Sequence, residues 1–244
     1  MGKTIWITGT GTGVGKTVLT SLLTIHMRQA GIDVLACKPY ASGSWEDTET
    51  LSIANEHLLR LDQITPIFCE QPVAPLVGFD KKQADTAVGV ARESVLRHAK
   101  QCDVLLVEGI GGAAVPVSHD QTIGTTMADL VDGTIIVGQN KLGILNEILL
   151  TNHYLRSIRS SSQLITLMGV EDPDTSSEYN SNALKEVLGS IPVISLPFLG
   201  RWNPEFMTLK ETEKKFRKTL AQIRDWVNVF SADTARPVKP ESQQ

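Results

Sequence analysis

"GTGTGVGKT", residues 9–17, decides the fold. It stands between an apolar, β-rich run, "KTIWIT" (3–8), and a helix-like stretch from Lys16 to about Ala30. Strand, glycine run and helix start are the context that a phosphate-binding loop requires. Glycines let backbone N–H groups turn inward as a nest for phosphate oxygens, and the helix N-terminus adds a favourable dipole. Lys16 is then expected at the β- and γ-phosphates and the Thr17 hydroxyl on Mg²⁺. The spacing is unusual. The pattern G-x-x-x-x-G-K-[ST] needs glycine at position 10, where Thr10 stands, and Gly9 is one residue too far upstream. A plain glycine-rich turn is the alternative, and the adjacent Lys-Thr after a strand weighs against it.

Working outward, short Val/Ile/Leu-rich runs recur at "DVLACK" (33–38), "DVLLVE" (103–108), "GTIIVG" (133–138), "QLITLM" (163–168) and "IPVISLP" (191–197). Helical patterns lie between them at 84–100, 143–158 and 177–188, with a last one from about Lys210 to Val227. Continuous apolar runs suit strands buried on both faces. The expected fold is therefore α/β, one domain over residues 1–230, with a mostly parallel central sheet and helices on both faces. Residues 231–244 hold too few apolar side chains to pack and are expected to form a disordered tail. The net charge of −4 and pI near 5.8 argue against a nucleic-acid or anionic-membrane partner. Cys37, Cys69 and Cys102 form no C-x-x-C pair, so reduced thiols and no zinc site are expected. No apolar run reaches the roughly 18 residues of a spanning helix. A cytoplasmic protein is expected.

Two further stretches carry chemistry. In "DVLLVEGIGG" (103–112) an apolar strand ends in Glu108, followed by a glycine-rich turn. A carboxylate at such a strand end faces the phosphate loop and helps to hold Mg²⁺; the plainer alternative is a residue that only caps the turn. In "CKPYASGSWED" (37–47) Lys38 sits on the rim where open α/β sheets bind ligands. A lysine there neutralises a transferring phosphoryl group or a carbamate. Ser42 follows in a turn, and Asp47 is a further candidate Mg²⁺ ligand. "KLGILN" (141–146) opens a helix with backbone N–H groups available to an anion, or is an ordinary helix start.

Together these segments resemble the dethiobiotin synthetase family. "TGTGTGVGKT" is similar to its T-G-T-D-T-x-V-G-K-T loop, "CKPYASG" to its K-P-x-x-S-G segment, and "VEGIGG" to its V-E-G-A-G-G. "KLGILN" resembles its K-L-G-x-x-N stretch and "NPE" (203–205) a late N-P-E, so the resemblance runs in order from about residue 4 to 206. It implies a P-loop fold and an ATP-dependent ring closure. Carbon dioxide and one amine of 7,8-diaminopelargonic acid form a carbamate, ATP phosphorylates it, and the second amine closes the cyclic urea. It also makes the long loop a family feature, with Thr12 on the diamine. Catalysis then falls to Lys16, Lys38 and Thr12. ATP would lie on Gly13, Val14, Gly15, Lys16, Thr17 and Val18, with Glu108, Gly109, Gly111, Pro197 and Glu205 around it. Thr17, Asp47 and Glu108 would hold Mg²⁺. The diamine would meet Thr12, Lys38 and Ser42. The family uses the K-L-G-x-x-N segment across a dimer interface, so a homodimer is expected in which Leu142, Gly143 and Asn146 complete the partner's site.

The chain also departs from that pattern. Gly11 and Gly13 stand where the loop has an aspartate and, in many members, a second acid. "LMGVEDPD" lacks the N-D-V asparagine that reads adenine, leaving backbone near Val170 or Pro197 and the Glu205 side chain for base and ribose. "APLVG" (74–78) replaces a P-H-x-x-A segment and leaves part of the substrate wall unassigned. Three other readings stay open. A partition-type ATPase usually carries an early loop lysine, and Thr10, Gly11 and Thr12 stand there instead. A cobyrinate-type amidation synthetase needs a glutaminase part for which the chain is short. A nucleotide-binding relative without ligase activity is the third. His26, His57, His98, His119 and His153 are scattered and are expected to be structural or superficial.

Overall fold

The computed structural model describes residues 2–158, 162–200 and 205–229. The tail expected at 231–244, and Asn203 and Pro204 of the N-P-E segment, lie outside those residues. In chain order the elements are β1 (Lys3–Gly9), α1 (Lys16–Gln29), β2 (Val34–Cys37), β3 (Tyr40–Ser42), α2 (Glu46–Ala54), α3 (Leu61–Ile64) and β4 (Ile67–Cys69). They continue with α4 (Pro75–Gly78), α5 (Lys81–His98), β5 (Val104–Gly112), α6 (Ile123–Met127), β6 (Gly133–Gln139), α7 (Ile144–Ser157) and β7 (Ser162–Met168). A 3₁₀ turn, α8 (Asn180–Leu188), β8 (Val193–Leu196) and α9 (Phe206–Asn228) complete them.

Six strands form one sheet in the order β2-β5-β1-β6-β7-β8, and every neighbouring pair is parallel. Parallel neighbours need long crossovers, which α1, α7 and α8 supply. The central strands are sealed on both faces: Ile5, Trp6, Ile7, Leu105, Leu106, Ile135 and Ile136 have no exposed surface. The α/β architecture expected from the apolar runs is therefore present. After β1 the chain turns toward β2, and after β5 it crosses to β6. A crevice opens at the carboxyl ends of β1 and β5, where such sheets bind ligands.

Several details differ from the sequence expectation. The glycines after Glu108 do not form a turn; β5 continues through them to Gly112. The register between β1 and β5 shifts after Ile7↔Glu108, so that Gly9 pairs with Gly112. Side chains there would strike the loop, since a Cβ on Gly112 would lie 3.3 Å from the carbonyl oxygens of Gly9 and Thr10. Helix α5 starts earlier than expected because Asp80 caps it, accepting from the Gln83 amide while the Gln83 side chain returns to the Asp80 amide. A second, two-stranded parallel sheet of β3 and β4 was not anticipated. Its strands are three residues each, too short for a pattern in the sequence to stand out.

Candidate functional site

The phosphate loop is shaped by glycine. Gly13 and Gly15 adopt φ of 73° and 98°, a region that residues with a Cβ rarely enter. Gly15 occupies the N-cap of α1, and no side chain caps that helix, so its first N–H groups face the loop's concavity. Lys16, nearly buried, donates to the Gly11 carbonyl at 2.9 Å. Burial lowers its pKa to about 8, partly opposed by the negative charge of Glu108.

Lys38 is held by its own backbone before its side chain does anything. Its amide donates to the Ile64 carbonyl at 2.9 Å, and Pro39 keeps the chain extended. The ammonium reaches Glu108 Oε1 at 2.8 Å and also pairs with Asp47 Oδ2. Burial alone would lower the Lys38 pKa; the facing charges of Glu108 and Asp47 outweigh it and raise the value. Burial pushes the Asp47 carboxyl up, but Lys38 and the Thr17 hydroxyl bring it below its ordinary value. Asp47 arrives on the first turn of α2, an acid-rich turn that the helix dipole favours.

Thr17 Oγ1 lies 2.8 Å from Asp47 Oδ1 and 2.7 Å from Glu108 Oε1, so hydroxyl and both carboxylates converge. Glu108 is buried, and its second oxygen, Oε2, has no hydrogen-bond partner among the described residues. Mg²⁺ takes hard oxygen ligands, few of them from protein, and keeps several waters. One hydroxyl, two carboxylates and an unpartnered carboxylate oxygen fit that ion. Among the described residues no group of three or more His, Cys, Asp or Glu side chains is placed to hold a metal ion.

These groups line one cavity of about 570 Å³, with Thr12, Gly13, Gly15, Lys16, Thr17 and Val18 on the loop side and Lys38, Ser42, Asp47, Glu108 and Gly111 opposite. The unassigned wall is built by Pro72, Val73 and Ala74, just before the short helix α4. Gly43, at φ 76°, lets that wall approach, because a Cβ there would sit 2.7 Å from Pro72 Cβ. Ala41, Ser44 and Ile110, within the stretches quoted above but not singled out there, and Val115 complete the lining.

Other candidates lie elsewhere. Val14 is buried in the core, and Gly109 packs on Trp6, where a Cβ would lie 2.9 Å from the indole nitrogen. Pro197 is exposed beyond β8, its backbone against Gly169 at the end of β7, and Glu205 opens α9. Leu142, Gly143 and Asn146 are exposed at the start of α7, outside the cavity. The amide of Leu142 is not available as the sequence suggested; it donates to Asp174 Oδ2 at 2.8 Å. Asp174 lies in the "EDPD" segment, 32 residues downstream, a distance no local pattern spans. Of the histidines, His26 is buried against Glu213 at 2.8 Å, His98 is buried, and His119 and His153 are exposed. His57 contacts Ser52. All three cysteines are free and buried. Among the described residues no helix is long and apolar enough to cross a membrane.

Comparison with known proteins gives the family. The family described as "AAA domain" matches residues 3–196. The ATP-dependent dethiobiotin synthetase of Nitrosospira multiformis is 34% identical over 162 residues, 64% of this chain and 71% of that protein. Its namesake from Bacillus subtilis subsp. natto is 31% identical over 92% of this chain and 94% of its own length. Among solved structures, the septum site-determining protein MinD of Pyrococcus horikoshii, complexed with Mg-ADP, superposes with a TM-score of 0.58 over 95% of this chain and all of its own. At 14% identity that likeness speaks for the fold alone. By sequence, over nearly its whole length, the chain belongs to the ATP-dependent dethiobiotin synthetase family.

Proposed function

We propose that the chain is a ligase that uses ATP to close the cyclic urea of dethiobiotin from 7,8-diaminopelargonic acid and carbon dioxide. One observation carries the reading: a single cavity is lined by the phosphate loop on one side and by Lys38 and Ser42 on the other. A triphosphate and a second small reactant can therefore lie end to end, which turns a multi-body encounter into an oriented local one.

One amine adds to the carbon of CO₂ and loses a proton, giving a carbamate. A carbamate oxygen takes the γ-phosphoryl group and ADP leaves. The second amine attacks the carbonyl carbon and loses a proton, inorganic phosphate departs, and the urea is closed. No protein nucleophile is required. Lys16 supplies a point charge at the nucleotide's terminal phosphates, and Lys38 balances the carbamate and the moving phosphoryl group. Charge stabilisation of this kind is usually the largest single contribution to such catalysis. Thr12 and Ser42 seat the diamine. Thr17, Asp47 and Glu108 would hold Mg²⁺, which would supply positive charge to the nucleotide. In the reacting complex Lys38 would leave Glu108 and Asp47 for the reacting groups.

We also propose a homodimer through α7. Leu142, Leu149 and Leu150 are exposed there, 78%, 36% and 62% respectively, on the segment that carries Gly143 and Asn146. A Leu150→Glu variant should sediment as a monomer and lose turnover; an intact dimer with full activity contradicts this interface. Three free, buried cysteines and the acidic balance of the chain support a cytoplasmic site of action.

The decisive assay supplies diaminopelargonate, labelled bicarbonate, Mg²⁺ and each nucleoside triphosphate in turn. Labelled dethiobiotin with at least one triphosphate is expected. Nucleotide binding without product under every condition would overturn the reading in favour of a relative that has lost the ligase reaction.

A further inference from the structure

The residue in excess of the usual loop spacing has a partner outside the cavity. Thr10 Oγ1 donates to Glu147 Oε2 on α7 at 2.8 Å, across 137 residues of sequence. Three positions on, the Gly13 carbonyl accepts from Gln139 Nε2, at the end of β6, at 3.1 Å. The Thr10 amide donates to the Val137 carbonyl on the same strand at 2.9 Å. One continuous segment, the end of β6 with the first turn of α7, thus grips the loop at both its shoulders.

The loop needs such a grip. Glycines at 9, 11, 13 and 15 give it a large conformational freedom to lose. No atom lies within 4 Å of where a Cβ on Gly11 or Gly13 would be, so packing does not define the crest. Buried Val14 is one further tie and Lys16 to the Gly11 carbonyl another, and a bound phosphate competes for that ammonium. Once nucleotide enters, the contacts from β6 and α7 are the hydrogen bonds that hold the shoulders of the loop, beside the packing of Val14.

We propose that Glu147 and Gln139 are positioning residues that brace the phosphate loop, and that Thr10 is the loop's anchoring point. The brace also joins the loop to α7, whose start is the segment assigned above to the partner's substrate. The inference rests on the loop being a nucleotide cradle and deepens that reading; it does not depend on the ligase step.

Titration calorimetry with Mg-ADP tests it on the full chain. Thr10→Val and Glu147→Ala should each weaken binding about three- to tenfold, the scale of one net hydrogen bond. The double variant should be no weaker than either single one, because both remove the same contact. Thr10→Ser and Glu147→Gln keep donor and acceptor and should bind like the parent. Thermal midpoints should stay within a degree or two of the parent, since Glu147 is exposed. Unchanged affinity in both single variants, or additive losses in the double one, would overturn the brace. So would tighter binding by Glu147→Gln, which would make the carboxylate a repulsive charge instead of an anchor. Loss of labelled dethiobiotin with these affinities as expected would instead strike the ligase reading alone.

Discussion

The two edges of the main sheet are built differently. At one edge, β2 is buried along its whole length, and the side chain of Asn55 completes its outer hydrogen bonds. Asn55 accepts from the Ala36 amide and donates to the Ala36 carbonyl, both at 2.8 Å. The stacked rings of Trp45 and Phe68, 4.2 Å apart, tie the start of α2 to β4 beside it. At the other edge, β8 is only half buried, with Ser195 exposed. The sealed edge is the one that carries Lys38 and, on α2, Asp47. A buried charge is costly unless its partners are fixed, so the backbone that presents it has to be over-determined. The open edge ends in Pro197, where the expected work is contact with the nucleotide and no buried charge is at stake.

That contrast can be broken in graded ways. Lys38→Ala should lower kcat by about 10²–10³, or roughly 3–4 kcal/mol of transition-state stabilisation, in the labelled-bicarbonate assay. Near-normal turnover would remove Lys38 from the chemistry. Glu108→Ala should destabilise the ligand-free chain by about 3 kcal/mol in urea, the low end for a broken buried pair because Asp47 still faces Lys38. Asn55→Ala leaves both polar groups of Ala36 unpaired at a buried position and should cost about 2 kcal/mol. If the cost is negligible, the sealed edge is not what fixes β2.

The fourth prediction concerns pH. The Lys16 ammonium, lowered to about 8 by burial, is charged below that pH and neutral above it. If bound nucleotide keeps it charged, affinity for metal-free ADP should fall about tenfold between pH 7 and 9. Lys16→Arg should flatten that profile. Smallest of all, Ser195→Ala on the open edge should change stability by less than about 0.5 kcal/mol.

The legible parts of the fold and site are those whose physics is local. Strands β1, β5, β6 and β7 announced themselves as apolar runs because both faces are buried. The glycine loop and Lys16 showed because backbone geometry demands glycine at fixed offsets. Lys38, Asp47 and Glu108 were separately ambiguous in the sequence and meet only when β2, α2 and β5 are assembled. The brace at Thr10 was invisible for the same reason, since Glu147 is an ordinary first-turn acid until β6 and α7 fold against the loop. The continuation of β5 through Gly109–Gly112 is not legible because glycine usually marks a turn; here Gly109 admits the Trp6 ring and Gly112 the loop backbone.

In the proposed reaction Lys38, paired with Glu108 and Asp47 in this structure, moves onto the reacting groups when Mg²⁺, a triphosphate and the diamine are present. A crystal structure with magnesium, a non-hydrolysable ATP analogue and diaminopelargonate measures this directly. The account predicts Lys38 Nζ within hydrogen-bond distance of the γ-phosphate or the carbamate, with Glu108 and Asp47 turned to the metal. Lys38 still paired with both carboxylates, beside fully bound ligands, would contradict it.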